Sequence, residues 1–336
     1  MASKLEHQSI RDALIDGTYR APAWLPGGHA QTIVAAIGSP QTAVEYRREV
    51  WDSPDADCID VDFAQPEPQD PGAPVLVLFH GLEGSSRSHY ARSLMRAAAR
   101  RGWRALVAHF RGCGGQPNRR PRAYHSGDSD EADWVLRAAS QRWPAAPLHA
   151  VGISLGGNVL AKWLGERGED AHRVRAAAVV SVPFDLAAAG ASLGRGFNRA
   201  VYGRQFLRSM RRKALAFDQR FPGLIDIDRV VASRDLREFD DTFTAPLHGF
   251  RGVMHYWQTA SAKPWLGSVA VPLLALNARN DPLVPACSLP TAAIVSRHVL
   301  LEQPQQGGHA GFVRGPWPGD LGFVAQRLLE FFERGA

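Results

Sequence analysis

Cysteine is scarce in this 336-residue chain. The three present, Cys58, Cys113 and Cys287, are far apart and odd in number, which excludes a disulfide framework and any cysteine-based metal spacing. Long hydrophobic runs are missing too: no stretch approaches the ~20 apolar residues of a membrane span. The leading MASKLEHQSI lacks the apolar centre of a secretory signal. These absences point to a soluble protein of the reducing cytoplasm. There is no internal repeat and no low-complexity tract, and the Pro-rich run at 65–74 is too short for a domain linker. Neither charge sign is gathered into a block. Charged residues make up 21% with a net charge of +6, interleaved enough to exclude extensive disorder. No single element carries the basic stripe that nucleic acid would want, although Arg is denser from Arg195 to Arg237. The surface reads as mildly basic, with peripheral contact to anionic lipid left open. The oligomeric state is not legible.

What is present is a core. Hydrophobic residues make up 45%, enough for one large domain over 1–336. Short runs that are apolar on both faces read as buried parallel strands: Val75–Phe79, Ala105–Phe110, Leu148–Ile153, Ala176–Val182, Pro272–Asn277 and His298–Leu301. Amphipathic helices alternate with them at Ser88–Arg101, Asp128–Trp143 (with Trp134, Val135 and Ala138 on its inner face), Leu155–Glu166 and Leu321–Arg334. This alternation predicts an α/β fold, a mostly parallel doubly wound sheet with helices on both faces. Residues 44–63 are expected to add two antiparallel strands in front. From about Phe184 to Leu266 the rhythm breaks into helical pieces rich in Arg and aromatics. That segment is expected to be a helical cap inserted between two strands, with a peripheral embellishment as the alternative.

Two G-x-S-x-G patterns occur, around Ser154 and around Ser192. The pattern alone is weak, so context decides. Ser154 directly follows a strand and directly precedes a helix, the strand–turn–helix setting of a nucleophile elbow. Ser192 abuts no strand and reads as a flexible beginning of the insertion. A serine nucleophile needs a base, a carboxylate behind the base, and donors for the oxyanion. His309 lies in a glycine-rich loop (Gly307, Gly308, Gly311) after the last strand and is the candidate base. Asp281, in the Asn280-Asp281-Pro282 turn after the preceding strand, is the candidate acid, with Asp185 as its rival. The backbone N–H of Leu155, next after the serine, and that of Leu82, in the His80–Gly84 loop, are the candidate oxyanion donors. Glu83 in that loop is expected to be solvated, and Cys113 in Arg111–Gly115 to be packing. No metal or organic cofactor is implied.

With these motifs the chain resembles the YheT-like branch of the α/β-hydrolases, relatives of monoacylglycerol lipases and acyl-ester synthase/esterases. The resemblance runs almost end to end. It rests on Pro22–Thr32 (PAWLPGGHAQT), His80–Ser85, Arg111–Gly115, His125–Asp128, the elbow extended by Gly157-Asn158, and Gly307–His309. Members often carry two acids before the proline; here the first is Asn280, so Asp281 is the only carboxylate of the turn. The resemblance implies the α/β-hydrolase fold and esterase activity on short- to medium-chain acyl esters, monoacylglycerols included. General physics gives the Trp24–Thr32 run no role, so His29 is a structural residue by default, with a pocket residue as the alternative. The expected activity is ester hydrolysis through an acyl-enzyme on a small-molecule acyl ester. The alternatives are transfer of the same acyl group to an alcohol, and a hydrolase-like scaffold that only binds.

Overall fold

Alternation at a period of two builds the sheet. In the computed structural model, which describes residues 19–41 and 43–335, eight strands form one sheet in the order β1-β2-β4-β3-β5-β6-β7-β8. They are β1 (Tyr46–Asp52), β2 (Cys58–Ala64), β3 (Val75–Phe79), β4 (Arg104–Ala108), β5 (Leu148–Ile153), β6 (Ala176–Val180), β7 (Leu273–Leu276) and β8 (Val299–Glu302). β1 and β2 are antiparallel to their neighbours and the rest are parallel. The leading MASKLEHQSI lies outside the described residues.

Each buried strand sends alternate side chains to opposite faces. On one face Val75, Val77, Leu106, Ala150, Val179 and Leu273 pack against α3 (Ser129–Arg142) and α4 (Leu155–Arg167). On the other, Leu76, Leu78, Val107, Val151, Val180 and Leu274 pack against α2 (His89–Arg100) and α9 (Gly322–Gly335). A fully buried side chain of this size contributes roughly 1.5–3 kcal/mol, so the two faces are the main source of stability. On α3 the buried face is Ala132, Val135, Leu136 and Ala139, while Trp134 and Ala138 are only half-buried. That rotates the stripe by about one position from the sequence reading.

At the edges, burial gives way to pairing. On β1, Arg48 stands opposite Asp62 of β2 and bonds it at 2.7 and 2.8 Å, a cross-strand ion pair. β8 is only half-buried past Val299.

Between β6 and β7 there is no strand. The chain runs through α5 (Leu186–Leu193), α6 (Arg204–Arg220), α7 (Ile227–Ala232), α8 (Val253–Ala260) and single turns between them. A short helix, α1 (Gly28–Ile33), precedes the sheet. Among the described residues no helix is long and apolar enough to cross a membrane.

The topology places the site. β4 lies on one side of β3 and β5 on the other, so the order reverses there and opens a crevice beyond the strand ends. Phe79 pairs in register with Gly152, which brings the loop after β3 beside the turn after β5. Likewise Leu276 pairs with Glu302, which sets the loops after β7 and β8 side by side.

Candidate active site

β5 ends at Ile153 and α4 begins at Leu155, so Ser154 alone makes the turn. Its backbone has φ 52° and ψ −118°, a strained conformation costing a non-glycine residue about 1–3 kcal/mol. The surroundings hold it there: the Ser154 N–H donates to the Val180 carbonyl at 2.8 Å, and the Asn158 N–H donates to the Ser154 carbonyl at 3.0 Å. So tight a turn folds α4 back onto β5. A Cβ at Gly152 would lie 2.5 Å from the Gly156 carbonyl oxygen and from the Gly157 Cα, closer than real contacts allow. The Asn158 side chain adds a tie. Its amide donates to the Ser126 and Ala260 carbonyls, each at 2.8 Å, and its oxygen accepts from the Ala262 N–H at 2.9 Å.

The structure brings the three sequence-predicted side chains together. His309 Nε2 is 2.9 Å from Ser154 Oγ, and His309 Nδ1 is 2.8 Å from Asp281 Oδ2. The carboxylate of Asp281 is shielded from solvent. Its other oxygen accepts from the N–H groups of Leu283 at 2.8 Å and Val284 at 3.2 Å. Those bonds fix the carboxylate plane. The rival Asp185 instead caps α5, accepting from the Ala188 N–H at 3.0 Å.

The second serine pattern falls elsewhere. Ser192 sits in the last turn of α5, not in a flexible segment. Its hydroxyl donates to the Pro282 carbonyl at 3.1 Å and accepts from Asn198 at 3.1 Å.

In the loop after β3, Gly81 N–H donates to Tyr90 Oη at 2.9 Å and Glu83 N–H to Tyr124 Oη at 3.2 Å. The Leu82 N–H between them makes no hydrogen bond among the described residues. It shares a cavity wall with Leu155 and Ser154. Glu83 is not the solvated side chain the sequence suggested. It has the left-handed φ of 55° and is mostly buried. Its carboxylate accepts from Tyr124 Oη at 2.7 Å, from Lys213 Nζ at 2.8 Å and from Ser209 Oγ at 2.5 Å. Lys213 and Ser209 belong to α6, so two elements meet at this carboxylate. Cys113 packs beneath, 3.0 Å from Lys213 Nζ, and burial pushes its thiol up to about 11. At that value it is inert as a nucleophile.

The Trp24–Thr32 run, to which general physics assigned no role, turns out to support both loops. Gln31 is fully buried. Its side-chain oxygen accepts from the Gly307 N–H at 2.9 Å and from Asn280 Nδ2 at 3.0 Å. Its amide nitrogen donates to the Leu25 carbonyl at 3.0 Å and to Gln306 Oε1 at 3.2 Å. All four of its bonding positions are used. Thr32 Oγ1 donates to the Gly28 carbonyl at 2.7 Å and accepts from the His309 N–H at 2.9 Å. Asn280 closes the set by accepting from the Gly308 N–H at 3.0 Å. α1 approaches so closely that a Cβ at Gly28 would lie 1.9 Å from the Asn280 carbonyl oxygen. No periodicity marks Gln31 or Thr32, which share their short helix with the polar His29. His29 stays outside the triad, stacked on Tyr202 with Nδ1 3.2 Å from its hydroxyl.

Ser154 and His309 open onto a cavity of about 290 Å³. Loops at the sheet's edge line one side. Leu186, Phe206, Met210, Phe217 and Trp257, from the helical segment between β6 and β7, line the other. Among the described residues no group of three His, Cys, Asp or Glu side chains is arranged to hold a metal ion.

Residues 74–316 match the α/β hydrolase fold family. The chain is 38% identical over 289 residues to YheT, a candidate esterase of Escherichia coli (strain K12), covering 85% of this chain and 84% of that protein. It is 27% identical over 326 residues to the phospholipase ABHD3 of Homo sapiens, covering 95% and 80%. Among solved structures, the esterase Pf2001 of Pyrococcus furiosus is similar with a TM-score of 0.54 at 16% identity. That match covers 88% of this chain and 98% of the other, a likeness of fold alone.

Proposed function

The chain belongs to the α/β-hydrolase family, and from that premise we propose that it hydrolyses carboxylic esters through an acyl-enzyme formed on Ser154. The observation that carries the reading is the unbroken hydrogen-bond chain from Ser154 Oγ through His309 to Asp281 Oδ2. In the tautomer this pairing requires, His309 Nδ1 donates to Asp281 and Nε2 accepts from the serine hydroxyl. As Ser154 Oγ attacks the ester carbonyl, its proton passes to Nε2 and Asp281 stabilises the imidazolium. The N–H groups of Leu155 and Leu82 receive the oxyanion. Collapse breaks the ester C–O bond, and Nε2 returns its proton to the leaving alcohol. Water then repeats the sequence: His309 takes its proton, its oxygen displaces Ser154, and the acid departs.

The apolar wall supplied by the helices between β6 and β7 supports reading residues 184–266 as a cap within a single domain. It also supports acyl esters of short to medium chain as substrates, and the esterase and phospholipase relatives support ester cleavage. A cytoplasmic setting belongs to the same reading, since Cys58, Cys113 and Cys287 are all free thiols.

A p-nitrophenyl ester series from acetate to palmitate tests the proposal, with Ser154→Ala alongside. The expected outcome is turnover with an optimum at short to medium length and a loss of at least about 10⁴-fold in the variant. Equal turnover by variant and wild type would overturn it.

A further inference from the structure

The cavity wall contains a carboxylate for which acyl transfer has no use. Asp240 begins the turn Asp240–Thr244, in the segment over the cavity. Its Oδ2 accepts from Trp257 Nε1 at 2.9 Å and its Oδ1 from Thr244 Oγ1 at 2.7 Å. A carboxylate oxygen accepts two hydrogen bonds, so each keeps one position free. Two of the other charged groups of the wall have ionic partners: Glu83 has Lys213, and Arg111 has Asp55, Asp57 and Glu131. Asp240 has no such cation, and burial lifts its carboxyl to about 6. The ring-bearing side chains Phe239, Phe243, Tyr256 and Trp257 surround it on the wall. Asp240 is half-buried and lines the same cavity as Ser154.

An ionised acceptor in an apolar wall selects for whatever brings it a donor. We propose that Asp240 is a specificity-determining residue that accepts a hydrogen bond from a hydroxyl group carried by the ester substrate. A cationic group fits less well, because Arg111, Lys213 and Arg220 share the wall with Glu83 and Asp240. The inference rests on the ester-hydrolase reading and narrows its substrate class. A site built around a substrate hydroxyl discriminates against the analogue that lacks it, because its own acceptor is then left unmet.

Two matched pairs of esters test it. Glycerol monodecanoate against propyl decanoate places hydroxyls on the leaving alcohol. The p-nitrophenyl ester of ω-hydroxydecanoic acid against that of decanoic acid places one on the acyl chain. In the wild type, kcat/KM is expected to favour the hydroxylated member of one pair by about tenfold or more. The pair that responds identifies which half of the ester reaches Asp240. In Asp240→Asn the ratio is expected to fall several-fold, because a neutral amide oxygen is a weaker acceptor than a carboxylate. The amide keeps an oxygen for Trp257 and can donate to the Thr244 hydroxyl, so the turn is retained. Asp240→Ala removes the acceptor altogether and is expected to bring the ratio close to one, with thermal melting as the check on folding for both. Turnover of the plain esters with ratios near one in both wild-type pairs overturns the inference and leaves the hydrolase reading intact. So does a preference that both variants preserve. No turnover of any ester by the folded wild type removes the hydrolase reading, and the inference with it.

Discussion

Asp281 serves two sets of donors with one carboxylate: His309 on Oδ2, and the backbone of Leu283 and Val284 on Oδ1. An amide in its place has one oxygen and cannot satisfy both. If the oxygen stays on the backbone donors, Nδ2 faces His309 Nδ1 and drives the imidazole proton to Nε2, where it can no longer accept from Ser154. Asp281→Asn is therefore expected to leave the fold and KM nearly unchanged while kcat falls about 10⁴-fold, the scale of this change in serine proteases. Steady-state kinetics with a folding check decide it; a loss under tenfold would make Asp281 a structural residue. At the elbow the limit is space, not charge. Gly152→Ala pushes a methyl against the backbone of Gly156 and Gly157, which cannot yield as a side chain tip can. A loss of about 1–3 kcal/mol in denaturant unfolding is expected.

At the scale of elements, the candidate site is assembled by strands and held by helices remote in sequence. α1 reaches loops more than 270 residues away, through Gln31 to Gly307 and Thr32 to His309. Thr32→Val keeps the shape and leaves the His309 N–H without an acceptor. The expected cost is about 1–3 kcal/mol of stability, with a fall in kcat larger than any rise in KM, because the imidazole loses its support and the pocket does not. A variant with wild-type kcat would reduce α1 to packing. Lys213 of α6 makes the corresponding tie on the other side, through Glu83. Lys213→Met is expected to lower kcat/KM for p-nitrophenyl esters about tenfold, or 1.4 kcal/mol of transition-state stabilisation. These ties explain what could and could not be read beforehand. Val75–Phe79 and Leu148–Ile153 announce themselves because a strand buried on both faces must be apolar throughout. Ser154 stands directly after such a strand, and Asp281 and His309 lie in the loops that follow β7 and β8, so local order located them. Gln31, Thr32 and Glu83 act through contacts between distant segments, and no local pattern carries that information. Glu83 looked solvated because its partners, Tyr124, Ser209 and Lys213, lie 41 to 130 residues away.

Burial holds five histidines of the molecule below their ordinary range. Burial lowers His80, His125 and His248 to about 3 and His149 to about 4, and it lowers His89 as well. Each ordinarily titrates near 6.5. Below that pH the unfolded chain gains five protons that the folded one refuses, so stability falls as pH falls from 6.5 towards 3. Three carboxyls oppose this. Burial raises Asp128, Glu131 and Asp240, so the folded chain keeps protons there that the unfolded one gives up. Their contribution is greatest at low pH and is lost as pH rises through the raised values. Near pH 5 the lowered imidazoles outnumber the raised carboxyls, so unfolding takes up protons and stability falls as the pH falls. Asp62 extends the loss further down. Arg48, His109 and Ser86 hold its carboxyl below the usual range despite burial, so its share is present above about 4 and disappears in stronger acid. Urea unfolding between pH 7 and 5 is expected to show stability falling with the pH, and potentiometric titration across the transition to show the proton uptake. A flat profile over that interval would mean that the buried imidazoles reach water in the folded protein.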